Sequence, residues 1–171
     1  MWEKEGLLHG SQYAFRAKKG TEGPLLLWSL MNDRAYLRKE DQARGQGDLK
    51  HAYDGVQPWA VELVLMRMGV PGEFVQYQSK LTTRTRTAVI TPFGVTEKFR
   101  RASGLPQGGT HSCALWNGFI DVMAEMQHEM AKEKGVMVED EWGKEWELIT
   151  QLFADDAHHC ASGANLSLIH I

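Results

Sequence analysis

At 171 residues the chain is long enough to bury a hydrophobic core within one ordinary domain. Its formal charge of −3 is unusual for a protein that grips nucleic acid, so any such grip must come from local clusters of basic residues. Two cysteines argue against a disulfide framework or a zinc site. The absence of a long apolar run or a secretory signal points to an intracellular protein with no membrane partner.

In chain order, Arg16, Lys18 and Lys19 gather near the start. Thr21 is placed to cap a first helix carrying Leu25, Leu26, Trp28, Leu30, Met31 and Tyr36. Residues 38–47 are polar and lack the apolar residues of a core strand, so the expectation is that they cannot take that place without desolvating polar groups; a deletion, a mis-spliced junction or a frameshift would each explain such a stretch. Asp48 precedes a helix predicted from Gln57 to Met68, which Gly69 stops and Pro71 prevents from continuing. A second helix is predicted around Gly72 to Leu81, and the β-branched run Thr82 to Ile90 reads as a strand. Pro92-Phe93-Gly94 turns that strand back into Val95 to Arg101, completing a hairpin. The residues Arg84, Arg86, Lys98, Arg100 and Arg101 flank the loop that follows. Ala102 to Thr110 is that Pro/Gly loop. Beyond it, Leu115, Phe119, Val122, Met126 and Met130 recur at helical spacing, predicting one apolar face with methionines as core filler, ending near Gly135.

The most informative stretch is Phe153-Ala154-Asp155-Asp156, at the end of the apolar run Leu148 to Leu152. Residues 145–162 read as a hairpin, and its tight turn would aim two carboxylates at one point. Such a cluster repels itself unless a cation sits between the charges, and Mg²⁺ is the natural occupant of an all-oxygen site. His158-His159-Cys160 resembles a ligand run, but successive strand residues face opposite sides, which argues against a metal role.

Asp48 with an aromatic five residues later (Tyr53), then Leu105-Pro106-Gln107-Gly108-Gly109, then Phe153-Ala154-Asp155-Asp156, resembles in order the reverse transcriptases. The similarity is greatest to those of non-LTR retrotransposons, and Gln12 to Thr21 is similar to that family's Q-x-G-F-R-x-G-x-G-T segment. The resemblance implies an α+β polymerase palm with partial fingers, antiparallel strands packed on helices and no thumb, over residues 1–165. Residues 166–171 match a translated sequencing adaptor and are set aside as a scar, and Met1 reads as an accidental start.

The same resemblance implies RNA-directed DNA polymerisation with two Mg²⁺ ions, Mn²⁺ substituting, held by Asp48, Asp155, Asp156 and the Leu49 carbonyl. It gives Tyr53 the part of a sugar gate, Gln107 and Gly108 contacts to nucleotide or template, and Arg16 a contact to the triphosphate. Gly108 and Gly109 would let backbone approach the substrate. The partners implied are an RNA template, a DNA primer and deoxynucleoside triphosphates. Three departures stand beside it: the polar stretch before Asp48, Gly109-Thr110-His111-Ser112-Cys113 in place of S-P-L-S-P, and no downstream lysine, primer grip or thumb. Three other readings therefore stay open: an inert retroelement remnant, a viral-type RNA-dependent RNA polymerase in which Asp54 recognises a ribose hydroxyl, and a plain nucleic-acid-binding module.

Overall fold

The computed structural model describes residues 2–139 and 142–163. Residues 166–171, and Met1, lie outside them. The chain is of the α+β class, helices with antiparallel strands, and divides into two units: Met1–Lys50 with Ile120–Ile171, and His51–Phe119.

In the first unit, helix α1 (Glu22–Arg38) tolerates Pro24 because the amides of a first helical turn have no intrahelical acceptor. Thr21 occupies the N-cap position, but its side chain makes no capping hydrogen bond: its backbone is already helical, at φ −73 and ψ −20, so the hydroxyl cannot reach back to the free amides. Lys39 closes the helix in the left-handed conformation, with the Glu40 N–H donating to the Ala35 carbonyl at 3.1 Å.

The polar stretch before Asp48 is strand β1 (Gln42–Asp48), which corrects the expectation that so polar a segment cannot take the place of a core strand. Ala43, Gly45 and Gly47 alternate with Gln42, Arg44, Gln46 and Asp48. Small residues therefore occupy one face, where Ala43 is buried, while the polar ones share the other. The desolvation objection fails because α1 satisfies that polar face: Arg44 bonds the Asn32 side chain and lies over the Trp28 ring at 4.7 Å.

Strand β1 ends one sheet. After the short α2 (Ala52–Gly55) the second unit packs α3 (Pro58–Arg67) on α4 (Gly72–Arg84) through Ala60, Val61, Val64, Leu65 and Val75. The left-handed Gly69 separates them, as its position predicts. Thr82, Thr83 and Arg84 continue α4 rather than starting a strand: Thr82 and Thr83 each bond the carbonyl four residues back, which suits a helix. A ribbon follows, β2 (Arg86–Thr87), β3 (Ile90–Thr91), β4 (Gly94–Val95) and β5 (Phe99–Arg100), turning at Pro92-Phe93 as expected.

Helix α5 (Ser112–Ala131) buries Leu115, Trp116, Ile120, Ala124 and Ala131, not the methionine stripe. Met126 and Met130 are exposed, because the buried face runs through Trp116, Ile120 and Ala124 and turns away from them. In the first unit again, β6 (Val136–Glu139) pairs with β7 (Glu145–Leu148), and β8 (Thr150–Phe153) pairs with β9 (Asp156–Ser162). The sheet order is β1-β9-β8, all antiparallel. Met31, Val136, Leu148 and Cys160 form a core cluster beneath it. Among the described residues no helix is long and apolar enough to cross a membrane.

Candidate active site

The acidic hairpin has a two-residue turn, Ala154-Asp155, between the paired Phe153 and Asp156. Of the two, only Ala154 has positive φ, at 56°, a conformation that glycine adopts freely and an L side chain resists by roughly 1–2 kcal/mol. The flanking ladder holds it there. On the other side, Leu152 donates its N–H to the Ser11 carbonyl at 2.8 Å and accepts from Tyr13 at 2.9 Å, so residues 11–13 pair with β8 as a parallel bridge. Sequence reasoning missed that pairing, since Gln12, fully buried, carries no strand pattern.

Asp48 and Asp156 are opposite one another in the β1–β9 register, and Leu49 donates its N–H to the Asp155 carbonyl at 3.1 Å. Opposite residues in an antiparallel ladder point to the same face, with Cβ atoms about 4.5–5.5 Å apart. Asp48, Asp156 and Phe153 thus form one row across three strands, and Asp155 sits in the turn that joins β8 to β9 beside it. A pocket of about 150 Å³ reaches Asp156 from the start of α1 and is lined mainly by Leu25, Leu152 and Phe153.

The donor chemistry of this row fits a divalent cation. Carboxylate oxygens are hard ligands, and among the described residues none of the three aspartates is in an ion pair. Among those residues no group of three or more His, Cys, Asp or Glu side chains is placed to hold a metal ion. Magnesium commonly takes one or two protein carboxylates and leaves the rest of its shell to waters and phosphates, so an open row suits it.

His159 faces one side of β9 while His158 and Cys160 face the other, as strand alternation requires. His158 meets Trp28 edge-on at 5.1 Å, the His159 ring nitrogen lies 3.1 Å from the Thr150 hydroxyl, and Cys160 joins the core. Burial lowers the His159 pKa, with a smaller push from His158, and raises that of the Cys160 thiol to about 12.

Arg16 is fully engaged in this structure. Its guanidinium forks onto the Glu3 carboxylate at 2.8 Å and donates to the His9 and Gln12 carbonyls, with its side chain 7% exposed. Those hydrogen bonds are the main reason the Glu3 carboxyl is held below its usual range.

In the second unit, Tyr53 stacks on Trp116, with ring centroids 5.1 Å apart and 19° between planes. Its carbonyl accepts from Leu105 at 2.8 Å, while Val56 accepts from Gly104 at 2.8 Å and Asp54 from the Ser103 hydroxyl at 3.0 Å. Gly104 is required there: with φ +93 its missing Cβ would meet the Asp54 Cα at 2.9 Å. Pro106-Gln107-Gly108-Gly109 is a turn closed by Gly109 N–H to the Pro106 carbonyl at 3.0 Å, and Gly108 supplies the positive φ of +81 that a type II turn needs at its third residue. Gln107 is thereby presented outward, exposed.

Gly109 works differently from the expectation. A Cβ there would meet the Ser112 hydroxyl at 2.7 Å, so the chain itself fills that space; the hydroxyl bonds the Pro106 carbonyl at 2.6 Å. Asp54 contacts Arg101 at 3.5 Å through an exposed carboxylate.

A family model described as reverse transcriptase (RNA-dependent DNA polymerase) matches residues 2–170. Among solved structures, apo telomerase from Candida tropicalis truncated from its C-terminal domain superposes with a TM-score of 0.68 at 14% identity, covering 99% of this chain and 33% of that one. Telomerase from the same organism in complex with a TWJ fragment of telomeric RNA gives a TM-score of 0.67 at 12% identity, covering 95% and 27%. A further structure of apo telomerase from Candida tropicalis gives 0.64 at 13%, covering 96% and 30%. The chain thus spans about a third of the length of those structures, and at these identities the likeness is one of fold. No curated protein sequence matches it.

Proposed function

We propose, from the premise that this chain belongs to the reverse transcriptase (RNA-dependent DNA polymerase) family, that it is the catalytic part of a retroelement polymerase of non-LTR type. It would extend a DNA primer along an RNA template by adding deoxynucleotides. The observation that carries the reading is the Asp48–Asp156 register pair, with Asp155 in the adjoining turn tied to Leu49. That arrangement concentrates oxygen donors from sequence positions far apart onto one sheet face.

A pair of bound Mg²⁺ ions, or Mn²⁺ in their place, would neutralise charge on the attacking and leaving oxygens of an in-line phosphoryl transfer. Asp48, Asp155 and Asp156 would hold them, with the Leu49 carbonyl as a further donor. The chain's other contribution is positioning. Tyr53, braced face-on by Trp116, is a rigid wall suited to excluding a 2′-hydroxyl. Gln107, held outward by its turn, is suited to contact nucleotide or template, with Gly108 giving the turn its shape. For Arg16 to meet a triphosphate, it must first release Glu3.

Primer extension on an RNA template, with Mg²⁺ supplied, tests the reading. Extension is expected from a complete version that carries this chain together with a primer grip and thumb, and is expected to fall at least about a thousandfold in its Asp48→Ala and Asp155→Ala variants. Mn²⁺ titration followed by electron paramagnetic resonance separates chemistry from metal binding. Metal bound by the intact chain but not by the variants, with no extension by any of them, would identify a remnant that kept its site and lost its reaction. Extension that survives both substitutions would overturn the assignment.

A further inference from the structure

The ribbon β2–β5 carries a feature that the polymerase reading does not use. Arg86 is directly opposite Arg100 in the ladder, and Thr87 opposite Phe99. Like charges in register destabilise a strand pair, so this arrangement costs stability unless an anion spans it. No carboxylate does so: among the described residues neither arginine, nor the nearby Arg84 and Lys98, is in an ion pair. All four are exposed.

The far end of the ribbon is apolar. Ile90 pairs with Val95, and the turn places Phe93 at the tip, where it is 100% exposed. Ile90 is 84% exposed. Between the two ends, two residues on one strand (Ala88 and Val89) face three on the other (Thr96, Glu97 and Lys98), which is a bulge. Thr96 stitches it by donating its N–H to the Val89 carbonyl at 3.0 Å, and its hydroxyl accepts from the Val89 N–H at 2.9 Å. The tip is therefore held out by a bonded stem, with a bare aromatic ring at its end and a pair of guanidiniums at its base.

We infer that this ribbon is a docking finger for single-stranded nucleic acid, separate from the carboxylate row. Guanidinium forks match phosphate oxygens, and two of them side by side are neutralised by a backbone that supplies a charge at every nucleotide. A ring with both faces free offers a stacking surface to an unpaired base, whatever the base. An acidic peptide could satisfy the arginines but leaves the ring without a planar partner. The finger reads no sequence; it holds strand.

Fluorescence anisotropy with labelled oligo(dT) and oligo(U), using the full chain in EDTA, tests this. Arg86→Glu is the decisive variant, because it sets a carboxylate opposite Arg100 and should strengthen the ribbon while removing its anion site. Affinity is expected to fall at least about tenfold, and the slope of log affinity against log salt to shrink by about 1.4, the value for two lost contacts on a single strand. Phe93→Ala is expected to weaken oligonucleotide binding about fivefold or more while leaving heparin binding unchanged. Because binding is read in EDTA, where no polymerase chemistry runs, loss of that chemistry and loss of the finger are read apart. Unchanged affinity and salt slope in Arg86→Glu would overturn the inference, as would poly-glutamate competing as well as oligonucleotide, which would point to an acidic protein partner.

Discussion

Asp48 and Asp156 are register partners across β1 and β9, side by side on one face with no cation paired to either among the described residues. Two like charges so placed repel. Asp156→Asn is therefore expected to stabilise the metal-free protein by about 0.2–1 kcal/mol, seen as a higher Tm in EDTA. Added Mg²⁺ should raise the parent's Tm more than the variant's, because a cation that binds only the folded state stabilises it by mass action. A lower Tm in EDTA for the variant would contradict the repulsion argument.

The hairpin turn is strained at Ala154, whose φ of 56° suits glycine. Ala154→Gly relieves that conformation but gives the unfolded chain more entropy to lose on folding, for an expected net gain of about 0.5–1 kcal/mol. Ala154→Val should instead lose about 1–2 kcal/mol, since a β-branched residue resists positive φ more strongly. Urea titration of both variants checks the pair, and the ordering Gly, Ala, Val is the prediction.

The two cysteines should separate cleanly under a thiol reagent. Cys160 is buried, its Sγ donates to the Leu148 carbonyl at 3.2 Å, and burial pushes its pKa up to about 12. At pH 8 only a trace of it is thiolate, so iodoacetamide is expected to label Cys113 and spare Cys160 until denaturant is added. Peptide mass spectrometry of the labelled chain gives the answer, and equal labelling of both in the folded state would contradict it.

Acid should loosen the first unit through its histidines. Burial lowers the pKa of both His9 and His159 from 6.5, with His128 and His158 respectively adding repulsion. A depressed histidine pKa means that the unfolded chain takes up protons first as pH falls. Stability is therefore flat above about pH 7.5 and declines from about 6.5 downward, until the folded protein also protonates. His9 has a second reason to resist, because its Nδ1 accepts from the Ser11 N–H at 3.2 Å and protonation removes that acceptor. Thermal melts from pH 8 to 5.5 should show the decline, and His9→Gln should flatten it.

What the sequence made legible was whatever rests on local chemistry. Gly69 after α3, Pro92-Phe93-Gly94 in the ribbon and the acidic turn were readable because turns depend on individual residue types. Strand β1 was not, because its inward side needs only Ala43, Gly45 and Gly47, and small residues leave no hydrophobic signature. The β-branched threonines 82 and 83 pointed to a strand, but their hydroxyls bond backward within α4 and propensity yields to tertiary context. The apolar spacing on α5 favoured its methionines, yet Trp116 and Ile120 set which face is buried. At the site, the sequence named the aspartates, but their shared face followed only from the β1–β9 register. The engagement of Arg16 by Glu3 depends on a contact thirteen residues away and could not be read from spacing.

The bonds from Leu105 to Tyr53 and from Gly104 to Val56 make the backbone leading into Pro106-Gln107-Gly108-Gly109 continuous with the short helix that bears the tyrosine ring. A shift of that helix's backbone is therefore passed to the turn through two hydrogen bonds, and substitutions that disturb the backbone at Tyr53 and at Gln107 should couple rather than add in their effect on stability.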